Sequence, residues 1–218
     1  MKLLEAKEKL KKMEDIPFGD MFKNRNDFIK NKGKVGQVLE LILGLKNTNK
    51  NIDFEDGELK TNKCDEYGNP LETICVTQIS SIIDELYKKK EFKDTRLYEK
   101  ISNVLYVLVC KKGNPEEWKF IETINVNINS YKYKKLREIL ESDYYFICDK
   151  IHEDIDSIGR IKTTSGRYLQ IRTKDSKDKN TKKYHPIYSE IKNKYVSNKN
   201  YAFYLKKNFI KDIKSIDK

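Results

Sequence analysis

The stretch NIDFEDGELK, Asn51 to Lys60, is where the fold of this chain can be read most directly. Gly57 followed by Glu-Leu-Lys-Thr predicts a turn entering a strand. Residues two apart on a strand share a face, so Glu58 and Lys60 are expected on one side with Leu59 packed into a core behind them. Asp53, delivered by the preceding turn, can converge on the same spot. Two carboxylates and an ammonium on a rigid edge suit metal-assisted phosphodiester hydrolysis. The acids hold a hard divalent cation through oxygen, and the lysine orients water or offsets phosphate charge. The same residues also read as a solvated charged hairpin, because charged residues make up 36% of the chain.

Upstream, Val35 to Leu43 predicts a helix burying Val35, Val38, Leu39 and Ile42. Glu40 lies inside that apolar run. Flanked by Leu39 and Leu41 it would lose solvation and need a compensating cation; on the open side of the helix it would be an ordinary surface glutamate. Residues 2–14 predict a short amphipathic helix through Leu3, Leu4, Ala6, Leu10 and Met13, ended by Pro17 and Gly19. Downstream, TNKCDEYGNP reads as a loop, Leu71 to Ile79 as a strand and Ser81 to Lys90 as a helix. Asn103 to Cys110 is an almost wholly apolar run typical of a central strand. Trp118 to Ile128 predicts another strand and Tyr133 to Ile151 a long helix. The nearest candidate for a lobe boundary runs from Ser142 to the acidic 152–156 segment, giving an expected catalytic lobe of about 1–150 and a basic lobe of 151–218 within one domain.

Composition limits the options. At 218 residues, 38% hydrophobic, the chain can build a real core. No run approaches the roughly 20 apolar residues of a membrane span. The first residues are charged where a secretion signal needs an apolar centre, so a cytoplasmic protein with no membrane partner is expected. Cys64, Cys75, Cys110 and Cys148 lack CxxC spacing, and reduced structural thiols are the plain reading. The net charge of +11 is unevenly placed: Ser157 to Lys218 holds seventeen Lys and Arg against five Asp and Glu. Lysine-rich codon usage would spread that surplus evenly. A basic third beside an acidic stretch suggests a polyanion gripped by one part and cut by another.

Within the basic third, Gly166 predicts a tight turn, and YLQIR a strand ending near Arg172 and Lys174. Donors at a strand end can reach guanine O6 and N7 in the major groove, or can contact phosphates without reading sequence. The polar segment 174–186 is expected to be mobile without DNA. FYLKKNFIKDI predicts a strand or turn entering a helix, with Lys206 and Lys207 as phosphate contacts.

Four blocks, GKVGQVLELILGL (Gly33–Leu45), DFEDGELK, YLQIRTK (Tyr168–Lys174) and FYLKKNF (Phe203–Phe209), resemble in order and wording the MutH family of DNA endonucleases. That family includes the mismatch-repair strand-nicking enzyme and Sau-type restriction enzymes that cut GATC. The resemblance implies a mixed α/β core of the PD-(D/E)xK type, in two lobes with double-stranded DNA in a cleft between them. It implies Mg²⁺, with Mn²⁺ able to substitute, held by Asp53 and Glu58 with Glu40 close by. Lys60 would serve the attacking water and the scissile phosphate, Lys100 would be a second catalytic-site lysine, and the products would carry 5′-phosphates. Arg172 and Lys174 would enter the major groove, and Tyr204 would lie near the adenine and sense its methylation. Thr173 stands where the mismatch-repair branch usually has proline. That departure favours a type II restriction enzyme, acting as a homodimer on a palindrome and paired functionally with a DNA methyltransferase. The alternatives are a nickase awaiting a partner protein, and a DNA-binding module with an inactive core.

Overall fold

The computed structural model describes residues 1–22, 35–45 and 52–217. Asn51 and the first two residues of the Gly33–Leu45 block lie outside the described residues. The early elements, in chain order, are α1 (Leu3–Lys11), α2 (Phe18–Met21), α3 (Val35–Ile42), β1 (Glu58–Cys64), β2 (Ile74–Gln78), α4 (Ile83–Tyr87), α5 (Arg96–Ile101) and β3 (Asn103–Cys110). Then come β4 (Lys119–Asn127), α6 (Lys134–Ile158), β5 (Thr164–Ser165), β6 (Leu169–Thr173), β7 (Ile187–Ser189), β8 (Lys194–Ser197), β9 (Tyr201–Leu205) and α7 (Lys207–Asp217). The protein is therefore mixed α/β. Among the described residues no helix is long and apolar enough to cross a membrane.

Two compact units divide the chain, and it passes between them repeatedly. Met1–Ile74, Lys100–Tyr133 and Lys207–Lys218 form the first, and Cys75–Glu99 and Lys134–Lys206 the second. The stretch from Ser142 to residue 156, the candidate lobe boundary, lies inside α6, which continues to Ile158. Its buried face runs on through Ile147, Cys148, Ile151 and Ile155, and those apolar positions carry the helix through the acidic 152–156 segment.

In the first unit β3 is central, parallel to β1 and antiparallel to β4. One sheet face packs Leu59, Leu105, Val107, Val109 and Phe120 against Leu3, Ala6 and Leu10 of α1 and Val35, Val38 and Leu39 of α3. Burying each of the Leu, Val and Phe side chains stabilises by about 1.5–3 kcal/mol. Leu4, expected in the same stripe, is 63% exposed. Tyr106, fully buried, meets the ring of Phe209 of α7 at 5.7 Å. The segment from Thr61, expected as loop, stays in β1 to Cys64. Residue-by-residue pairing with Val107–Cys110 of β3 overrides its polar composition. The turn is confined to the residues after it, where the Asp65 carboxylate accepts the amides of Tyr67 and Asn69.

In the second unit the sheet order is β2-β9-β6-β5, and β7 and β8 form a separate hairpin. Asp143, buried on α6, accepts the amides of Arg167, Tyr168 and Leu169 at 2.7, 2.5 and 2.8 Å. A Cβ on Gly166 would collide with that carboxylate, which is why the tight turn expected there requires glycine. The staple fixes where β6 begins, and so where Arg172 emerges.

Candidate active site

The loop leading into β1 is clamped at several points. Leu3 N–H donates to Asp56 Oδ1 at 2.8 Å, and Asn103 Nδ2 donates to the Asp56 carbonyl at 2.7 Å. Phe54 is buried, and its amide reaches the Gly57 carbonyl at 2.9 Å. Gly57 lies so close to β3 that an added Cβ would run into the Asn103 carbonyl oxygen and come within 2.7 Å of Leu3 Cδ1. Within this frame Asp53 Oδ2 accepts the Leu59 amide at 2.9 Å, which places its carboxylate beside the first residues of the strand.

The expected alternation is observed: Leu59 enters the apolar cluster, and Glu58 and Lys60 share the opposite face. Glu58 is only 2% exposed. Its Oε1 accepts Lys60 Nζ at 2.5 Å and its Oε2 accepts Lys100 Nζ at 2.9 Å. Lys100 arrives from α5, 42 residues away, immediately before β3. A carboxylate this dry is sustained by cations on both oxygens. A solvated hairpin would leave Glu58 in water, and the geometry does not.

Glu40, on α3 and half-buried, has its carboxyl pushed above the usual range by burial and then by the charge of Asp53. Lys60 opposes the shift and Glu58 adds to it. Its neighbours are thus the three residues singled out from the sequence. Across the register from Lys60, Tyr106 is pushed up by burial and by the Glu58 charge.

Among the described residues no group of three or more His, Cys, Asp or Glu side chains is gathered tightly enough to hold a metal ion. Mg²⁺, however, is commonly held by one or two carboxylates, with water and phosphate oxygens completing its octahedron. The hard oxygens of Asp53, Glu58 and Glu40 fit that chemistry. Glu58 would exchange a lysine for the ion, whereas Asp53 commits Oδ2 to an amide.

The residues expected at DNA lie elsewhere. On the second unit's sheet, Arg172 and Tyr204 share a face, and the guanidinium sits 4.1 Å over the Tyr204 ring, with Lys174 Nζ at 5.9 Å. Tyr204 is 8% exposed, so its ring is covered by Arg172. Lys206 turns back, donating to the Gly166 carbonyl at 2.8 Å and to Ser165 Oγ at 3.1 Å. Lys207 opens α7 and is exposed.

Sequence reasoning missed two anchors here, Asp143 and the Asp175–His185 pair. Asp175 Oδ1 contacts His185 Nδ1 at 2.7 Å, and its Oδ2 accepts the amides of His185 and Asn200, each at 2.8 Å. Two anchored ends therefore bound the 174–186 segment. Its interior acid, Asp178, caps the turn at Asn180 and Thr181. No protein-family model matches the chain, and no curated protein matches it.

Proposed function

We propose that the chain is a metal-dependent endonuclease of the PD-(D/E)xK type acting on double-stranded DNA. The observation that carries this reading is the buried Glu58 carboxylate held between Lys60 and Lys100, with Asp53 fixed to the intervening Leu59 amide. Ammonium groups held in a dry site stabilise developing negative charge better than the same groups in water. Lys60 would orient the attacking water and, with Lys100, offset charge on the scissile phosphate. Asp53 and Glu58, with Glu40 beside them, would hold Mg²⁺, or Mn²⁺ in its place. The ion would supply a more acidic bound water and a Lewis acid for the phosphate oxygen.

The basic residues of the second unit supply the grip on DNA, with Arg172 and Lys174 as base readers. The proposed activity is that of a type II restriction enzyme, cutting unmethylated GATC-like sites in the cytoplasm to leave 5′-phosphates. Thr173 in place of the branch-specific proline supports restriction over mismatch-repair nicking. The test is digestion of plasmid from adenine-methylating and non-methylating hosts, with Mg²⁺ or with excess EDTA, followed by end sequencing. Double-strand cuts confined to unmethylated DNA and to Mg²⁺ are expected. Robust cutting in EDTA would remove the metal mechanism, equal cutting of both plasmids the specificity, and binding without cutting would leave an inactive DNA-binding module.

A further inference from the structure

A polar cavity of about 670 Å³ in the second unit is lined by Gln78, Lys174, Asp175, Ser176, His185 and Asn200, among others. Its floor is built. The Asp175 side chain is 3% exposed and receives two amides and an imidazole. Asn200, itself buried, passes the connection to Gln78 through a 2.7 Å hydrogen bond, and its carbonyl accepts the Lys174 amide at 2.9 Å. The His185 side chain, in contrast, is 62% exposed. With Nδ1 committed to Asp175, Nε2 is the nitrogen left for a ligand, and in the charged ring it is a donor. The acid beneath accepts three donors, so it holds the imidazole in one orientation and spreads its charge over them. Lys174 also lines the cavity, while its ammonium lies 5.9 Å from the Tyr204 ring that carries Arg172.

From this geometry we infer that the cavity is a phosphate subsite for the nucleic-acid backbone, with the His185 imidazole as its ligand. The inference rests on the reading that the chain binds DNA, and adds that this contact is switched by pH. The charges that act on His185 are Asp175 beneath it and Asp178 on the same segment; Lys174 lines the same cavity, and the ammoniums of Lys199 and Lys177 lie 4.5 and 5.6 Å from the ring of neighbouring Tyr184. Asp175, then Asp178, raise the imidazole above its ordinary value. A bound phosphodiester would raise it further, and the affinity for DNA must then fall as His185 loses its proton.

The chain has two histidines, so proton NMR of the imidazole C–H signals can follow His185 with His152 as an internal reference. His152 is stacked on Tyr87 and set near Asp156, so it reports any general effect of ionic atmosphere in the same unit. The titration is run on the full chain in EDTA, alone, with a short scrambled duplex, and with inorganic phosphate. The duplex is expected to raise the His185 midpoint by about one pH unit and to leave His152 unmoved. That shift corresponds to about tenfold weaker duplex binding well above the midpoint than well below it. His185→Asn, which keeps an N–H near the place of Nδ1, should erase the pH dependence and lower the log–log salt slope at acidic pH by about 0.9. An unmoved His185 signal with the duplex bound overturns the subsite and leaves the nuclease reading standing. A shift with inorganic phosphate alone makes it a free-phosphate site and overturns the backbone assignment. If no duplex binds at any pH, the DNA-binding reading fails together with it. The wild-type titration decides the matter even if the substituted chain fails to fold.

Discussion

Glu58 and Arg172 stand for two ways of holding charge. The first unit keeps one cluster of ions dry: Glu58 lies under two ammoniums whose own side chains are 20% and 13% exposed. The second keeps its cations in water, with Arg172 laid on a ring and His185 propped on a buried acid. Removing one partner of a buried pair costs about 3–5 kcal/mol, because a charge is left stranded. An exposed pair contributes about 0–1 kcal/mol. The dry cluster is thus set rigidly in advance and suited to chemistry, while the wet one can adapt to a partner.

The largest effect should come from the dry side. Lys60→Ala and Asp53→Ala should each lower cleavage by about 10²–10³-fold or more while duplex binding survives. Lys60→Ala should also lower stability by a few kcal/mol in denaturant titration, since Glu58 keeps only Lys100. Either variant cutting at the wild-type rate would mean the site is misplaced. Next is Gly57→Ala, where the new methyl meets a backbone carbonyl that cannot rotate away. A loss of about 1–3 kcal/mol in stability is expected, with cleavage falling further than stability alone explains because Asp53 and Glu58 flank the displaced turn. An unchanged midpoint of unfolding would show that the loop has room to give.

On the wet side the effects are smaller and depend on pH. Burial alone would raise Asp175, but His185 and the amides of Asn200 and His185 outweigh it and hold the carboxyl down at about 2. Depressed from an ordinary 3.8, this group contributes stability above that value, and the contribution disappears as pH falls through about 2. His185, raised from 6.5 chiefly by Asp175, contributes fully below 6.5 and loses its contribution as pH rises through the raised value. The tie closing the 174–186 segment should therefore be strongest between the two ordinary values. Hydrogen exchange at the His185 and Asn200 amides, corrected for intrinsic rate, should be slowest in that window. Protection that ignores pH would remove the ion pair as the cause. The smallest effect separates two adjacent lysines that belong to different units: Lys207→Ala, in the first, should reduce the salt slope of duplex binding by about 0.9, and Lys206→Ala, in the second, by less, because its ammonium already serves Gly166 and Ser165. Equal slopes would mean that Lys206 leaves those partners for phosphate.

What could be read in advance follows the same division. Strand periodicity alone separates Leu59 from Glu58 and Lys60, and the apolar run of β3 needs no tertiary context. The pairing of Lys100 with Glu58 rests on a contact spanning 42 residues, and only the wording around Lys100 hinted at it. Thr61 to Cys64 look polar and loop-like, yet β3 recruits them through its backbone, which composition does not register. Asp143 stands inside the predicted helix at the candidate lobe boundary, and its partners are amides, which leave no trace in side-chain chemistry. The Asp175–His185 tie was hidden for the same reason: an acid in a lysine-rich loop looks like solubility until its donors are known.

The interleaving of the two units bears on how the chain is made. Residues 207–217 belong with the first unit, although 134–206, all of the second unit but its first segment, are synthesised before them. The ribosome will have released most of the second unit before the helix that packs beside Tyr106 exists. The face carrying Glu58 and Lys60 must wait, partly uncovered, through that interval, with contacts of long sequence separation still to close. Neither unit corresponds to one continuous span that could be cloned out, so the roles proposed for the two units, cutting and reading, cannot be separated by truncation. They can be parted only by point substitution.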